Sequence, residues 1–369
     1  MFAACSTSLL WLASCGDDGH ASDPTPFLVE ASFGEVGLSP GQFSYPRCID
    51  RDETSLWIVD KTARVQRIDP QTGDSLGGWR MPEFKQGKPT GVSVWAPREG
   101  PDELVFVPDT HYHRVMVYRV PKNPGPRVST KSPEDVEVGR QIGVLVSELG
   151  TFGEGPGQFI YPTDVAVLPA ADDQGIDRIY VCEYGGNDRV HIWKPTNNPF
   201  AERSSYEFVR TFGTIGSSDS PGNVQFNRPQ SIEIDLARRE LVIVDACNHR
   251  VGRFSFEGDL IAWIGSVGQE PGQLSYPYGL TLLPDGSALV AEFGNNRIQR
   301  LDLITGQSLG VFGVVGRGPG ELATPWGVTR MGDRAYILDS GNNRVQVMRL
   351  PVRRTHAERF VPADGGGRI

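Results

Sequence analysis

Six times along the chain a carboxylate is followed within four to six residues by an arginine: Asp60 and Arg64, Asp109 and Arg114, Glu183 and Arg189, Asp245 and Arg250, Glu292 and Arg297, Asp339 and Arg344. A planar guanidinium can hold a carboxylate and nearby carbonyl oxygens through several bonds at once. Carboxylates in such number could also hold calcium, although each already has an arginine beside it. Regular recurrence favours a structural part for the pairs, because a reacting site is normally asymmetric. Histidines are the other candidates, since neutral imidazoles bind zinc. His111 and His113 follow Asp109, His249 follows Asp245, and His191 lies just after Arg189. Three of them would have to converge from separate loops to hold a metal. No nucleophile elbow, phosphate-cradling loop or H-E-x-x-H is present, and Gly-rich runs such as Gly316–Gly320 recur as turns would. The reading leans away from an enzyme. No catalytic residue is assigned and no cofactor is predicted, with calcium or zinc the ions these residue types could take.

The elements that position these residues form a repeat. Each unit opens with a proline (Pro46, Pro89, Pro162, Pro229, Pro277, Pro325), which starts a strand a. Strand b follows and ends on the acid, the arginine opens strand c, and a strand d leads to the next unit, as in Pro162–Leu168, Arg178–Glu183, Arg189–Lys194 and Tyr206–Phe212. A tight turn between b and c brings acid and arginine together. The period is near 47 residues, with insertions at 121–141 and 194–205. Both are polar and rich in Pro or Ser, which predicts loops or a projecting hairpin. Four strands per unit at this period predict a β-propeller. The sixth unit stops at Leu350 without a strand d, and a spare strand, Phe27–Phe33, precedes the first unit. A ring of sheets must close or leave an exposed edge. The expectation is an all-β, six-bladed propeller of four-stranded blades over residues 27–350, closed by strand 27–33 pairing with strand 344–350.

Gly 44 and Pro 28 among 369 residues are spread at intervals, as expected for many turns between short strands. The formal charge is -9, with basic residues scattered through the repeats, which argues against nucleic acid as a partner. The five cysteines, Cys5, Cys15, Cys48, Cys182 and Cys247, contain no C-x-x-C, so no disulfide framework is expected. Cys48 and Cys182 sit in strand-like runs, where a free thiol behaves as a small apolar group. Residues 1–14 read as a signal-like segment, and Leu12-Ala13-Ser14-Cys15 resembles a bacterial lipobox, which implies lipidation of Cys15. Residues 1–14 contain no Lys or Arg, a departure from the usual signal pattern. Residues 15–26 are then a linker, and 351–369 a disordered tail.

The stretches PWGV…LDSGNNRVQV (325–347) and PYGL…VAEFGNNRIQ (277–299) resemble the NHL repeat, and the likeness extends over roughly 27–350. That resemblance implies a ligand-facing side built from the d–a and b–c loops around a central channel. The residues after the strand-a prolines, Arg47, Thr90, Thr163, Gln230, Tyr278 and Trp326, would line its mouth, and unlike the ion pairs they differ from blade to blade. One enzyme branch, the peptidyl-hydroxyglycine amidating lyase, holds zinc through histidines at strand-a positions. None of these six residues is a histidine. The expected function is a membrane-tethered monomer in the bacterial cell envelope, facing the periplasm or exterior. It would bind a protein, peptide or glycan through that face and touch the membrane only through its lipid. The alternative is a metal-dependent lyase or lactone hydrolase at the channel mouth.

Overall fold

A computed structural model describes residues 28–86, 88–123 and 140–350. The signal-like segment, Cys15, the linker and the tail 351–369 lie outside the described residues. Six four-stranded antiparallel sheets stand in a ring, as the repeat predicts. Blade one comprises Pro46–Arg51, Leu56–Asp60, Arg64–Ile68 and Ser75–Arg80, and blade two Ser93–Trp95, Asp102–Asp109, Arg114–Pro121 and Val144–Leu149. Blade three holds Tyr161–Pro169, Ile176–Tyr184, Arg189–Pro195 and Tyr206–Phe212, and blade four Pro229–Asp235, Glu240–Asp245, Arg250–Ser255 and Leu260–Ile264. Blade five holds Pro277–Leu282, Ser287–Glu292, Arg297–Asp302 and Ser308–Phe312. Blade six takes Gly327–Met331, Arg334–Asp339 and Arg344–Arg349 from the end of the chain and Leu28–Phe33 from its beginning.

The closing strand pairs antiparallel with strand c of blade six, from Leu28 opposite Arg349 to Phe33 opposite Val345. Both described ends, Leu28 and Leu350, therefore lie on the face away from the strand-a prolines. Glu30 fastens the seam by binding Arg334 at 2.6 Å and Arg349. These two hydrogen bonds hold its carboxyl below the usual range.

Strands alternate their side chains across the two faces of each blade, so every sheet packs on both neighbours. One apolar cluster fills each gap. Trp57, Val65 and Trp79 of blade one meet Val105, Met116 and Tyr118 of blade two, and Val242, Val251 and Ile264 of blade four meet Leu280, Val290 and Leu301 of blade five. The seam between blades six and one is built the same way, from Tyr336, Val345 and Val347 against Ile49, Leu56 and Ile58.

The residue after strand d is a glycine with positive φ in five approaches, for example Gly213 at φ 86. A Cβ there would lie 2.4 Å from the Phe226 ring, so only glycine lets the loop turn over that buried side chain. The same five d–a loops fold back on themselves through short parallel pairings, such as Val314–Val315 with Glu321–Leu322. The hairpin at 194–205 does not project freely: Phe200 packs against Trp95 of blade two with ring centres 5.7 Å apart.

Candidate functional site at the channel mouth

All six acid–arginine pairs form. The Arg Nε to carboxylate distances are 3.1 Å (Arg64–Asp60), 3.3 Å (Arg114–Asp109), 2.6 Å (Arg189–Glu183), 2.8 Å (Arg250–Asp245), 2.6 Å (Arg297–Glu292) and 2.8 Å (Arg344–Asp339). In five blades the same guanidinium donates to carbonyls of the d–a loop, as Arg344 does to Gly318 at 2.8 Å and Glu321 at 3.0 Å. Arg114 differs because the approach to blade two has no Gly-rich loop. It turns instead to Glu148 at 3.1 Å and Glu83 at 3.6 Å. Burial pushes Asp109 up to about 6 despite its arginine.

The two asparagines before the arginine complete the stitching. Asn295 and Asn342 donate both to the acid of their own blade and to its d–a loop, at Gly268 and Gly316. The second position is left-handed, at φ 52 for Asn296, 56 for Asn343 and 55 for His249, a conformation Asn tolerates well. From there each side chain crosses to the next blade. Asn343 accepts from the Tyr45 amide at 2.7 Å, Asn296 from Thr324 at 2.7 Å, His249 from Tyr276 at 3.0 Å, and in blade three Asp188 accepts from Arg228 at 2.5 Å.

Each of those four acceptors grips the residue just before a strand-a proline. Tyr45, Arg228, Tyr276 and Thr324 all have positive φ, at 49, 63, 44 and 44. Non-glycine residues held there are strained, and the inter-blade bond is what holds them. Two of these residues pack against the mouth from its rim, Tyr45 on Trp326 and Arg228 on Tyr278.

Arg47, Thr90, Gln230, Tyr278 and Trp326 line one central cavity of about 650 Å³. Thr163 is fully buried instead, and its hydroxyl bonds the Pro229 carbonyl of blade four at 2.7 Å. Thr90 likewise faces the blade seam, with Thr110 at 2.8 Å and the Thr163 carbonyl at 3.2 Å. The variable members therefore gather on one side. Trp326 packs against Tyr278 (4.8 Å between ring centres), Phe293 (5.7 Å) and Tyr45 (5.9 Å). The Arg47 guanidinium stands 5.2 Å from the Trp326 ring, and Arg228 lies 4.8 Å from Tyr184 and 5.0 Å from Tyr278. Arg228, Tyr45, Tyr184 and Phe293 are the site residues the strand-a register did not single out. Their signal lies at the positions before the proline and after the acid, which carry aromatic side chains or arginine in several units.

Below the mouth the channel turns acidic. Asp50, Asp164 and Glu233 project from strands a of blades one, three and four. Burial, the largest cause, raises them to about 6, about 7 and about 8 respectively. Repulsion from Asp50 adds at Asp164, and repulsion from both aspartates adds at Glu233. These acids fold neutral and resist ionisation, so the stability they allow is present below about pH 4 and lost as pH rises through 6 to 8. Glu233→Gln is expected to gain about 1–2 kcal/mol of unfolding free energy near pH 9 and almost nothing near pH 4. Urea titrations at both pH values check this, and an equal gain at both would refute the assignment.

The four described histidines do not assemble a metal site. His191 is buried with Nε2 2.9 Å from Glu183, His113 Nδ1 meets the Ile160 carbonyl, and His249 Nδ1 is taken by Tyr276. Among the described residues no group of three or more His, Cys, Asp or Glu is placed to hold a metal ion. Cys48, Cys182 and Cys247 are free thiols.

No family model matches the chain. It is similar to NHL repeat-containing protein 3 of Mus musculus, at 30% identity over 139 residues, which cover 36% of this chain and 38% of that protein. The match thus spans about two fifths of that curated relative. Among solved structures, a protein of unknown function from Bacteroides thetaiotaomicron superposes with a TM-score of 0.55 at 14% identity, covering 86% of this chain and 76% of the other. Virginiamycin B lyase from Staphylococcus aureus gives a TM-score of 0.53 at 12% identity, covering 88% of this chain and 100% of the lyase. At such identities the likeness shows the fold alone.

Proposed function

We propose that this chain, a six-bladed β-propeller of the NHL type, is an interaction scaffold. It binds a protein, peptide or glycan through its d–a/b–c face and is held at a bacterial envelope membrane by a lipid on Cys15. One observation carries the reading: five or six equivalent stitches build the rim, while the mouth they enclose is asymmetric, cationic and aromatic on one side. A rigid rim loses little entropy on binding. The d–a loops also carry exposed apolar residues, Val36, Ile215, Val267 and Val315, around the same face. Apolar groups presented together on a polar rim favour contact with a macromolecule. The geometry also suits a tether, since residue 28 enters on the opposite face and leaves the mouth pointing away from the membrane.

The test replaces Arg47 and Arg228 together by Ala, because neither guanidinium has a carboxylate partner among the described residues and their loss leaves the core intact. Partners recovered from envelope extracts by the wild-type chain are expected to be lost from the variant, with the thermal midpoint within about 2 °C. An unchanged set of partners overturns the choice of face. The tether is tested separately by mass spectrometry of the mature N-terminus, where an unmodified Cys15 removes it. The lyase or lactone hydrolase alternative needs a metal that the histidines are not arranged to hold. Stoichiometric zinc or calcium surviving dialysis of the pure protein would bring it forward.

A further inference from the structure

The mouth is a cationic spot on a chain of charge -9, and its cations are unspent. Among the described residues Arg47 makes no ion pair, and its Nε is buried without a hydrogen-bond partner. Burial, the largest influence, holds its pKa below the ordinary range, with Arg228 adding to the effect and Tyr184, Tyr45 and Tyr278 opposing it. Arg228 donates one hydrogen bond to the Gln230 side-chain Oε1 at 2.9 Å and stacks between two tyrosine rings. Trp326 is 8% exposed, lines the cavity, and has its indole N–H buried and unpartnered. His111, close enough to Arg47 to feel its charge, has an unpartnered Nδ1. Buried donors left unsatisfied are costly, so a group that accepts from them is favoured.

The imbalance defines the ligand. Guanidinium and indole donors need acceptor oxygens, two arginines without a carboxylate partner among the described residues need negative charge, and stacked rings favour a flat neighbour. Asp50, the most readily ionised of the acids further down the channel, repels an anion once pH exceeds about 6, so the charged group stops at the rim. We propose that the channel mouth binds a carboxylate carried beside a planar apolar group, with Arg47 and Arg228 taking the charge and the Trp326–Tyr278 wall the flat group. The proposal rests on the reading of this face as the binding face and adds the chemical class that it selects.

Phenylacetate is the probe, titrated into the full chain by calorimetry and followed by tryptophan fluorescence, with phenylacetamide, acetate and inorganic phosphate as comparisons. Phenylacetate is expected to saturate, with phenylacetamide at least about tenfold weaker, because it keeps the ring and loses the charge. Acetate is expected to be weaker as well, for want of the ring. Arg47→Met should lose about tenfold in affinity and Arg47→Lys part of that, since an ammonium keeps the charge but not the fork. The comparison of acid with amide needs no variant, so a poorly folding substitution leaves the test standing. Equal binding of acid and amide, tighter binding of phosphate, or no saturation by phenylacetate overturns the proposal. If phenylacetate fails while the Arg47/Arg228 variant still loses its partners, the ligand class falls and the face stands. If the partners are unaffected but phenylacetate binds, the face falls as a macromolecular interface and the small-anion site stands.

Discussion

Removal of residues 28–33 is expected to cost the ring at least about 5 kcal/mol, comparable to the whole margin of a typical domain, and to leave protein that melts without a sharp transition or aggregates. Strand c of blade six would become an open edge, with Val345, Val347 and Met348, now at most 3% exposed, uncovered on their outer side. An unpaired apolar edge invites association with other chains. Calorimetry and light scattering of the truncated chain measure both effects. A synthetic Leu28–Phe33 peptide added in trans is expected to restore part of the transition by strand addition. Wild-type melting of the truncated chain would mean that the seam contributes little and that the ring is held by its other five interfaces.

Substitution of Arg297 by Met is the second large effect. Glu292 has no exposed surface, and beyond Arg297 it keeps only the Ser275 amide and the Asn295 and Gln299 side chains. Breaking a buried pair from one side strands a charge, and about 3–5 kcal/mol is the expected loss. The d–a loop suffers too, because the carbonyls of Glu270 and Gln273 lose one of two donors each, keeping only the Gln273 amide and the Gln299 side chain respectively. Arg114→Met in blade two should cost less, about 1–2 kcal/mol. Its contacts with Glu83 and Glu148 are solvent-exposed, and it anchors no Gly-rich d–a loop. Adding Glu292→Gln to Arg297→Met should recover much of the loss, since it removes the stranded charge. Equal costs at the two blades, measured by denaturant midpoints, would show that the loop anchoring contributes nothing beyond the pair.

Much of the ring was legible because its signals are local. The proline, the acid and the arginine recur six times and give the count, while the Asn-Asn-Arg runs at 295–297 and 342–344 and the glycine after strand d, present in five approaches, mark the turns. Closure was legible because an absent strand d at Leu350 matched a spare strand near residue 28. The site was legible only in register. The position after each proline does lead to the mouth for Arg47, Gln230, Tyr278 and Trp326, but at Thr163 the same position turns into a seam. A threonine hydroxyl is short enough to bond the neighbouring backbone, whereas a longer side chain must continue into the channel. Arg228 and Tyr45 escaped because their direction depends on a left-handed backbone held by Asp188 and Asn343 of the preceding blade. The Asn343 contact spans 298 residues. The channel acids escaped because a carboxylate within strand a looks like any polar position until three strands bring three of them together.

The seam also sets an order in time. Strand 28–33 is the first part of the ring to leave the ribosome, and its partner 344–349 is the last, so one member of the pair waits through the synthesis of five blades. During that wait Phe33 and Val29 have no covering, and the nascent chain is exposed to the wrong edges of blades already formed. Completion of the circle is therefore the last step in building the ring, and it falls to whatever keeps the early segment from pairing elsewhere until then.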